Sequence, residues 1–522
     1  MAGAVRFTGG RIWTGTRYVD SIVLAGGRVI AAGGDAAAPA GTEVVDLEGR
    51  LVVPGLIDAH LHLGELVRDG AGMPLAGIPS LAALAEALAA WGSGHPTGPI
   101  VGRGWSAEQF AEGREPTAAD LDRSGIDRPV LLVDVSGHAA VGNRAALAAV
   151  GFGRTTPDPP GGRLGRAADG SPDGRLYETA LGPLLRWFEE ASPLSAPDLA
   201  RTYARLNALG VTTVATMNTG PEELRWLAAA AGGPAPPSLR VRAYIADRRA
   251  EELGPADWAA GGRAGWLAVT GIKAFADGAF GPRTAWLAAP YSDRPEESGV
   301  PGATHDALVA LFDRCAERGL QPAVHAIGDR AVAEVLFALS AVGHRAPPRP
   351  RIEHAGLVPP ELVGPLRALG PTVVVQPGFL SSDAWLGERL GTERVRWAYP
   401  FGSLDRAGVP LAGSTDAPFD AVDPWRALRC AVDRVGPDGR SANPAAAEAL
   451  PPERALDLFT RGAGRALREV DLGSLEPPAR ADLVVLRATD VADAIRRGAA
   501  AVDETWVGGR CVYRRDGPPP PG

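Results

Sequence analysis

The sequence predicts an α/β protein: a (β/α)8 TIM barrel, a small β-sandwich domain built from both termini, and a subdomain inserted after barrel strand 1. Three observations carry this. Eight largely apolar runs of strand length recur through the middle of the chain, with helical patterns between several of them, as a parallel sheet covered on both faces requires. Both ends show short strand patterns broken by glycine turns instead. One interval between consecutive apolar runs is too long for a simple connection.

The N-terminal segment, 1–53, reads as short strands: AVRFTGG, RIWTG, SIVLAGGRVIAAG and EVVDLEG. Closely spaced turn signals suggest a small antiparallel unit. The C-terminal segment, 466–522, repeats the pattern with ADLVVLRA (481–488) and ETWVGGRCVYRR (504–515). Neither end is long enough to bury a sheet face alone, so the two are expected to share one sandwich. The closing RRDGPPPPG reads as a disordered tail.

The barrel is expected over 54–465. Its strand candidates are LVVPGLIDAH (51–60), GVTTVATMN (210–218), LRVRAYIA (239–246) and LAVTGIKAFADG (267–278). LQPAVHAIG (320–328), RPRIEHAG (349–356), GPTVVVQPGF (370–379) and GVPLAGSTDAP (408–418) complete the eight. Helices are expected at DALVALFDRCAERG (306–319) and AVAEVLFALSAVG (331–343). The long interval, about 64–205, holds helical patterns, the strand-like RPVLLVDV and the Gly/Pro/Asp-rich TTPDPPGGRLGRAADGSPDGR. Loops after barrel strands lie at the active-site face, so this insertion is placed to form a lid or pocket wall.

Composition narrows the partners. A formal net charge of −8 argues against nucleic acid and anionic membranes. Three dispersed cysteines, Cys315, Cys430 and Cys511, give no disulfide framework or cysteine zinc site. The N-terminus lacks a signal-peptide core and no run approaches a membrane span. A reducing, cytoplasmic setting and a small-molecule substrate are expected.

Chemistry concentrates at the strand ends. The first strand ends in His60 and His62, the fourth carries Lys273, the fifth ends in His325, the sixth in His354 and the eighth in Asp416. Residues two apart on a strand point to the same side, so His60 and His62 can share one metal. His325, His354 and Asp416 would arrive at the same barrel mouth. Four imidazoles and a carboxylate suit zinc, and also manganese, iron or nickel. A buried ammonium beside divalent cations is strongly disfavoured, so Lys273 should be neutral, displaced or modified. Carboxylation would make it an anionic ligand able to bridge two metals.

With these motifs the chain resembles the amidohydrolase superfamily. VVPGLIDAHLHL, the lysine strand, AVHAIGD, RIEHAG, GSTDAP and SLEPPARADLVVL stand in that family's order and span essentially the whole chain. GIKAFADGAFGPRTAWLAAPYSD (271–293), the SGHAA segment around His138 and the large insertion resemble the long-chain branch that includes N-substituted formamide deformylases. Two segments depart from that pattern: VATMNTG carries Asn218 where the family often has aspartate, and VDVSGHAA carries a serine. The resemblance implies His60, His62 and Asp416 on one metal and His325 and His354 on a second. A carboxylated Lys273 would bridge them, with zinc as the expected ion, one or two per chain.

The implied activity is a metal-dependent hydrolase of carbon–nitrogen bonds other than peptide bonds, cutting an N-substituted formamide or N-acyl amine with a metal-activated hydroxide. Asp416 is the expected catalytic proton shuttle. A deaminase or a cyclic-amide or ester hydrolase could use the same site. An inactive barrel serving as a binding or assembly subunit is the reading from another class. Superfamily members are often dimers or larger, so a homo-oligomer is compatible. Weaker substrate-binding candidates are His138, Arg283, Trp105 and Gln376. Each has a structural alternative: a turn histidine, an ion pair to Asp277 or Asp293, or packing near the mouth. Asp329 either caps the next helix or orients a ligand. His95, His305 and His344 read as surface residues.

Overall fold

Eight parallel strands hydrogen-bond in chain order: Leu56–Leu61, Val211–Thr219, Arg240–Ala246, Leu267–Phe275, Gln321–Ala326, Arg351–His354, Thr372–Val375 and Leu411–Gly413. The structure is a computed structural model that describes residues 3–34, 38–75, 77–135, 137–191, 195–233, 236–260, 265–345, 347 and 349–517. All residues of strands one, three, five, six, seven and eight are buried. Burial on both faces explains why these strands read as continuous runs rather than alternating ones. The eighth and first strands meet just beyond the eighth: the Asp416 N–H donates to the His60 carbonyl (2.9 Å) and the His62 N–H to the Ala417 carbonyl (2.8 Å). These bonds close the barrel at its C-terminal mouth.

Alanines alternate with larger apolar side chains in the core of the barrel. Ile57, Ala59, Ala215, Met217, Tyr244, Ala323, Val374 and Ala412 form one cluster, joined by Ala463, Ala466 and Leu467. Gly271 is required in the fourth strand by close approach. A Cβ there would lie 1.9 Å from the Gln321 carbonyl oxygen and 2.7 Å from the Tyr244 ring. The connecting helices follow their end signals. His305–Arg318 begins after Thr304, whose hydroxyl accepts the Ala307 N–H, and ends at Gly319 in the left-handed conformation. The next, Asp329–Val342, begins with an acidic residue, which suits the positive end of a helix dipole.

The terminal segments form two sheets. One runs in the order Arg28–Ala32, Ile22–Ala25, Val5–Thr8 and Glu43–Asp46. The other runs Arg510–Arg514, Val502–Val507, Leu483–Leu486, Leu51–Pro54, Arg11–Trp13 and Tyr18–Val19. Leu51–Pro54 and Leu483–Leu486 pair antiparallel, so the two ends of the chain share a ladder. Their common core joins Phe7, Ile12, Ile22 and Val52 to Leu475, Leu483, Val485 and Trp506. Leu51–Pro54 continues through Gly55 into the first barrel strand. A buried two-armed pair, Arg240 to Asp482 at 2.8 and 3.0 Å, fastens the third barrel strand to the sandwich. Within the expected tail, the last sandwich strand reaches Arg514, and residues 518–522 lie outside the described part.

Contacts divide the chain into two units, Met1–Leu63 with Ala200–Gly522, and Gly64–Leu199. The second holds helices and a six-stranded sheet in the order Gly162–Arg166, Pro172–Glu178, Ala139–Gly142, Val130–Asp134, Ile100–Trp105 and Met73–Pro74. Its Gly/Pro/Asp-rich stretch folds as the antiparallel pair Gly162–Arg166 and Pro172–Glu178. Among the described residues, no helix is long and apolar enough to cross a membrane.

Candidate metal centre

The barrel brings His60, His62 and Asp416 into one buried cluster, with one ligand atom of each within 4.8 Å of the others. An Asp416 Oδ1 atom lies 3.3 Å from both the His60 and the His62 Nε2. Asp416 Oδ2 is 3.9 Å from His354 Nδ1. The four imidazoles form a chain of ring contacts, with centroid separations of 5.5 Å for His62–His60, 5.0 Å for His60–His354 and 4.5 Å for His354–His325. Lys273 is buried with them, its Nζ 4.9 Å from the centroid of the Phe275 ring.

Local backbone sets these positions. His60 belongs to the first strand and His62 follows its end, both on the side that meets Asp416. His354 and Asp416 adopt φ of 74° and 60°, in the left-handed region. That conformation is costly for a side-chain-bearing residue, and such strain gathers at functional sites.

Three buried atoms here have no hydrogen-bond partner among the described residues: His60 Nε2, Asp416 Oδ1 and Lys273 Nζ. Unsatisfied buried polar atoms are rare and costly, so their convergence calls for an explanation. A divalent cation supplies one for the imidazole and the carboxylate. The donor set, two histidines and an aspartate with two further histidines in contact, fits such an ion.

Electrostatics prepares the ligands. Burial pulls the imidazoles of His62 and His354 below the usual histidine value, which keeps them neutral and able to donate a lone pair. Burial pushes the Asp416 carboxyl up, but His60, His62 and His354, when they carry a proton, reverse this and pull it well below the usual carboxylate range. Burial pulls the Lys273 ammonium down to about 8, against the opposing pull of Glu353 and Asp416.

Three of the four imidazoles are also held from behind. His60 Nδ1 donates to Glu353 Oε2 at 2.7 Å. Arg351 grips both Glu353 oxygens (2.7 and 2.8 Å), and reaches the Tyr244 hydroxyl and the Ala59 carbonyl. His354 Nδ1 donates to Gln376 Oε1 at 2.8 Å, and Gln376 Nε2 donates to Ser414 Oγ. His325 Nε2 donates to the Gly278 carbonyl at 2.9 Å, which leaves Nδ1 as its lone-pair nitrogen. Asp58 accepts the backbone N–H of His60 and both the N–H and hydroxyl of Thr415, tying strand one to the segment that carries Asp416. Asp277 accepts the backbone N–H groups of Trp286, Ile327 and Gly328.

Reasoning from sequence missed Glu353, Arg351, Asp58 and Asp277. The available signal was a charged residue inside an otherwise apolar strand next to a ligand: Asp58 in LIDAHL and Glu353 in RIEHAG.

The weaker candidates are placed as follows. Gln376 is buried, its amide oxygen accepting from the His354 ring and its amide nitrogen donating to Ser414. The Arg283 guanidinium is engaged by Asp293, at 2.6 Å, which Arg389 also contacts. Trp105 lies in the core of the inserted unit with Phe110, its indole N–H donating to the Leu132 carbonyl, and is a packing residue there. His138, also in that unit, pairs with Glu178 at 2.9 Å. Asp329 stands at the start of its helix and accepts the Ala288 N–H at 2.8 Å. His95 is exposed and stacks on Trp91, and His305 pairs with Glu334. The His344 side chain lies outside the described part.

A closed parallel barrel with a histidine–aspartate cluster at the C-terminal ends of its strands defines a metal-dependent hydrolase. Residues 43–513 match the amidohydrolase family, and the chain belongs to it. Over 501 residues it is 32% identical to the Bacillus subtilis (strain 168) protein YtcJ, described as an amidohydrolase, covering 91% of each chain. It is 29% identical over 543 residues to the N-substituted formamide deformylase of Arthrobacter pascens, covering 95% of each. Among solved structures it is similar to an uncharacterized metal-dependent hydrolase from Pyrococcus horikoshii OT3. The TM-score is 0.80, with 31% identity, over 94% of this chain and 99% of that one. The protein is a hydrolase acting on carbon–nitrogen bonds.

Proposed function

We propose that the protein hydrolyses the amide bond of an N-substituted formamide or N-acyl amine, using zinc held by the barrel-mouth ligands. The observation that carries the reading is the buried Asp416 oxygen 3.3 Å from two imidazole nitrogens, with no hydrogen-bond partner for that oxygen or for His60 Nε2 among the described residues. The likeness to the Arthrobacter pascens deformylase supports the substrate class.

His60, His62 and Asp416 would hold one ion and His325 and His354 a second, with a carboxylated Lys273 shared between the two. A divalent ion bound there acidifies water and polarises a carbonyl oxygen. Asp416 accepts the proton of the attacking water and delivers it to the leaving nitrogen, so that the amine departs neutral. His62 and His354, kept neutral by burial, hold their lone pairs inward rather than competing for that proton. The buried Lys273 amine loses its proton readily, and a neutral amine is the form that captures carbon dioxide.

Two measurements test this together: elemental analysis with native mass, and a panel of N-substituted formamides and N-acyl amines followed by amine release. Bound metal, a carbon dioxide adduct on Lys273 and formate release from the formamides are expected. Ammonia release from amino-substituted heterocycles, with no turnover of the panel, would assign a deaminase instead.

A further inference from the structure

His60 and His354 face the same centre, yet they lean on different partners. Behind His60 stands Glu353, a fully buried carboxylate whose two oxygens are fixed by Arg351. Behind His354 stands the neutral amide of Gln376. A carboxylate that accepts the second ring N–H raises the basicity of the coordinating nitrogen, and losing such a partner costs about 10–100-fold in metal affinity. An amide oxygen polarises the ring less. The His60 side of the centre also carries the Asp416 carboxylate 3.3 Å from two imidazoles. Two carboxylates, Glu353 and Asp416, therefore serve the His60 side.

We propose that Glu353 is a positioning residue that makes the His60–His62–Asp416 half of the centre its tight, first-filled metal site, with the His354 side filling second. The inference rests on the metal-centre reading above. Arg351 is part of the device. It keeps Glu353 charged and aimed, and its bonds to Tyr244 and the Ala59 carbonyl anchor the pair to the third strand and to the residue before His60.

The test is a titration of metal-free protein with zinc against a chromophoric chelator, repeated with cobalt so that visible absorption reports the ligand set. Wild type should take up one ion more tightly than any further ion. Glu353→Gln, which keeps the shape and removes the charge, should weaken that ion by about 10–100-fold. Gln376→Met and His354→Ala should leave it within about threefold, because neither touches the carboxylate behind His60. Glu353→Gln leaves Arg351 without its counter-charge in the core. Should it not fold, as judged by melting of the metal-free protein, the charge-neutral pair Arg351→Met/Glu353→Gln takes its place with the same expected loss.

Unchanged affinity in the folded variant overturns the proposal. An equal loss in Gln376→Met does the same, since any buried partner would then serve. Failure of wild type to bind zinc or cobalt at all would remove the metal-centre reading, and this inference with it.

Discussion

Lys273 Nζ is buried with no hydrogen-bond partner among the described residues. Its ammonium falls from the ordinary 10.5 to about 8, chiefly through burial, and such a drop is equivalent to about 3 kcal/mol of disfavoured charge. Lys273→Met keeps the volume and discards the charge. At pH 7 the metal-free variant should melt higher than metal-free wild type and show no carbon dioxide adduct by native mass. Asp416→Asn should cut kcat by about 10²–10⁴-fold while retaining much of the metal, read by steady-state kinetics beside elemental analysis. The residues in these predictions were legible because each ends or occupies a strand whose neighbours are apolar. Glu353 and Asp58 stood out only as charged residues within apolar strands, and what each one holds depends on the strand opposite. The register pairing His325 with Glu353, and the closure bringing Asp58 to Thr415, are tertiary facts.

At the scale of elements, the loop after the seventh strand holds a titrating pair outside the metal cluster. Tyr399 donates its hydroxyl to Asp383, just after the short helix Phe379–Ser382. Burial raises the Asp383 carboxyl to about 7, the Tyr399 bond opposes this, and the nearby Asp420 adds to it. A raised carboxyl contributes stability that is fully present below its ordinary value of 3.8 and is lost as pH rises through about 7. Denaturant midpoints should therefore show wild type losing stability relative to Asp383→Asn between pH 5 and pH 8, values flanking that midpoint at about 7. A constant difference would remove Asp383 from the pH response. Barrel strands were readable because parallel strands buried on both faces spell apolar runs. The two helices followed their caps, and the observed ends differ from the expected ones by one or two residues, within the usual fraying of helix ends. In the inserted unit, glycine- and proline-rich segments hid a strand pair that only antiparallel pairing reveals.

Over the whole molecule, the two chain ends and the barrel are bound by a few long-range devices. Arg240→Met would leave Asp482 charged and buried in the seam between barrel and sandwich, its remaining bond being to the Gly508 N–H. Breaking one member of such a pair costs about 3–5 kcal/mol, so equilibrium unfolding of this variant should show a loss of that order. The barrel and the split sandwich were visible in the order of strand-like runs. The pairing of Leu483–Leu486 with Leu51–Pro54 was not, because nothing local specifies a partner more than 400 positions away.

The bond from Thr415 to Asp58 spans 357 positions, and it has a consequence for how the molecule is made. During synthesis the strand bearing His60 and His62 emerges long before its closing neighbour. Until Asp416 leaves the ribosome, the two histidines form an incomplete claw with no carboxylate to complete it. Contacts of such long range are made late and slowly. The His60–His62–Asp416 cluster is therefore assembled by barrel closure and not by any local segment.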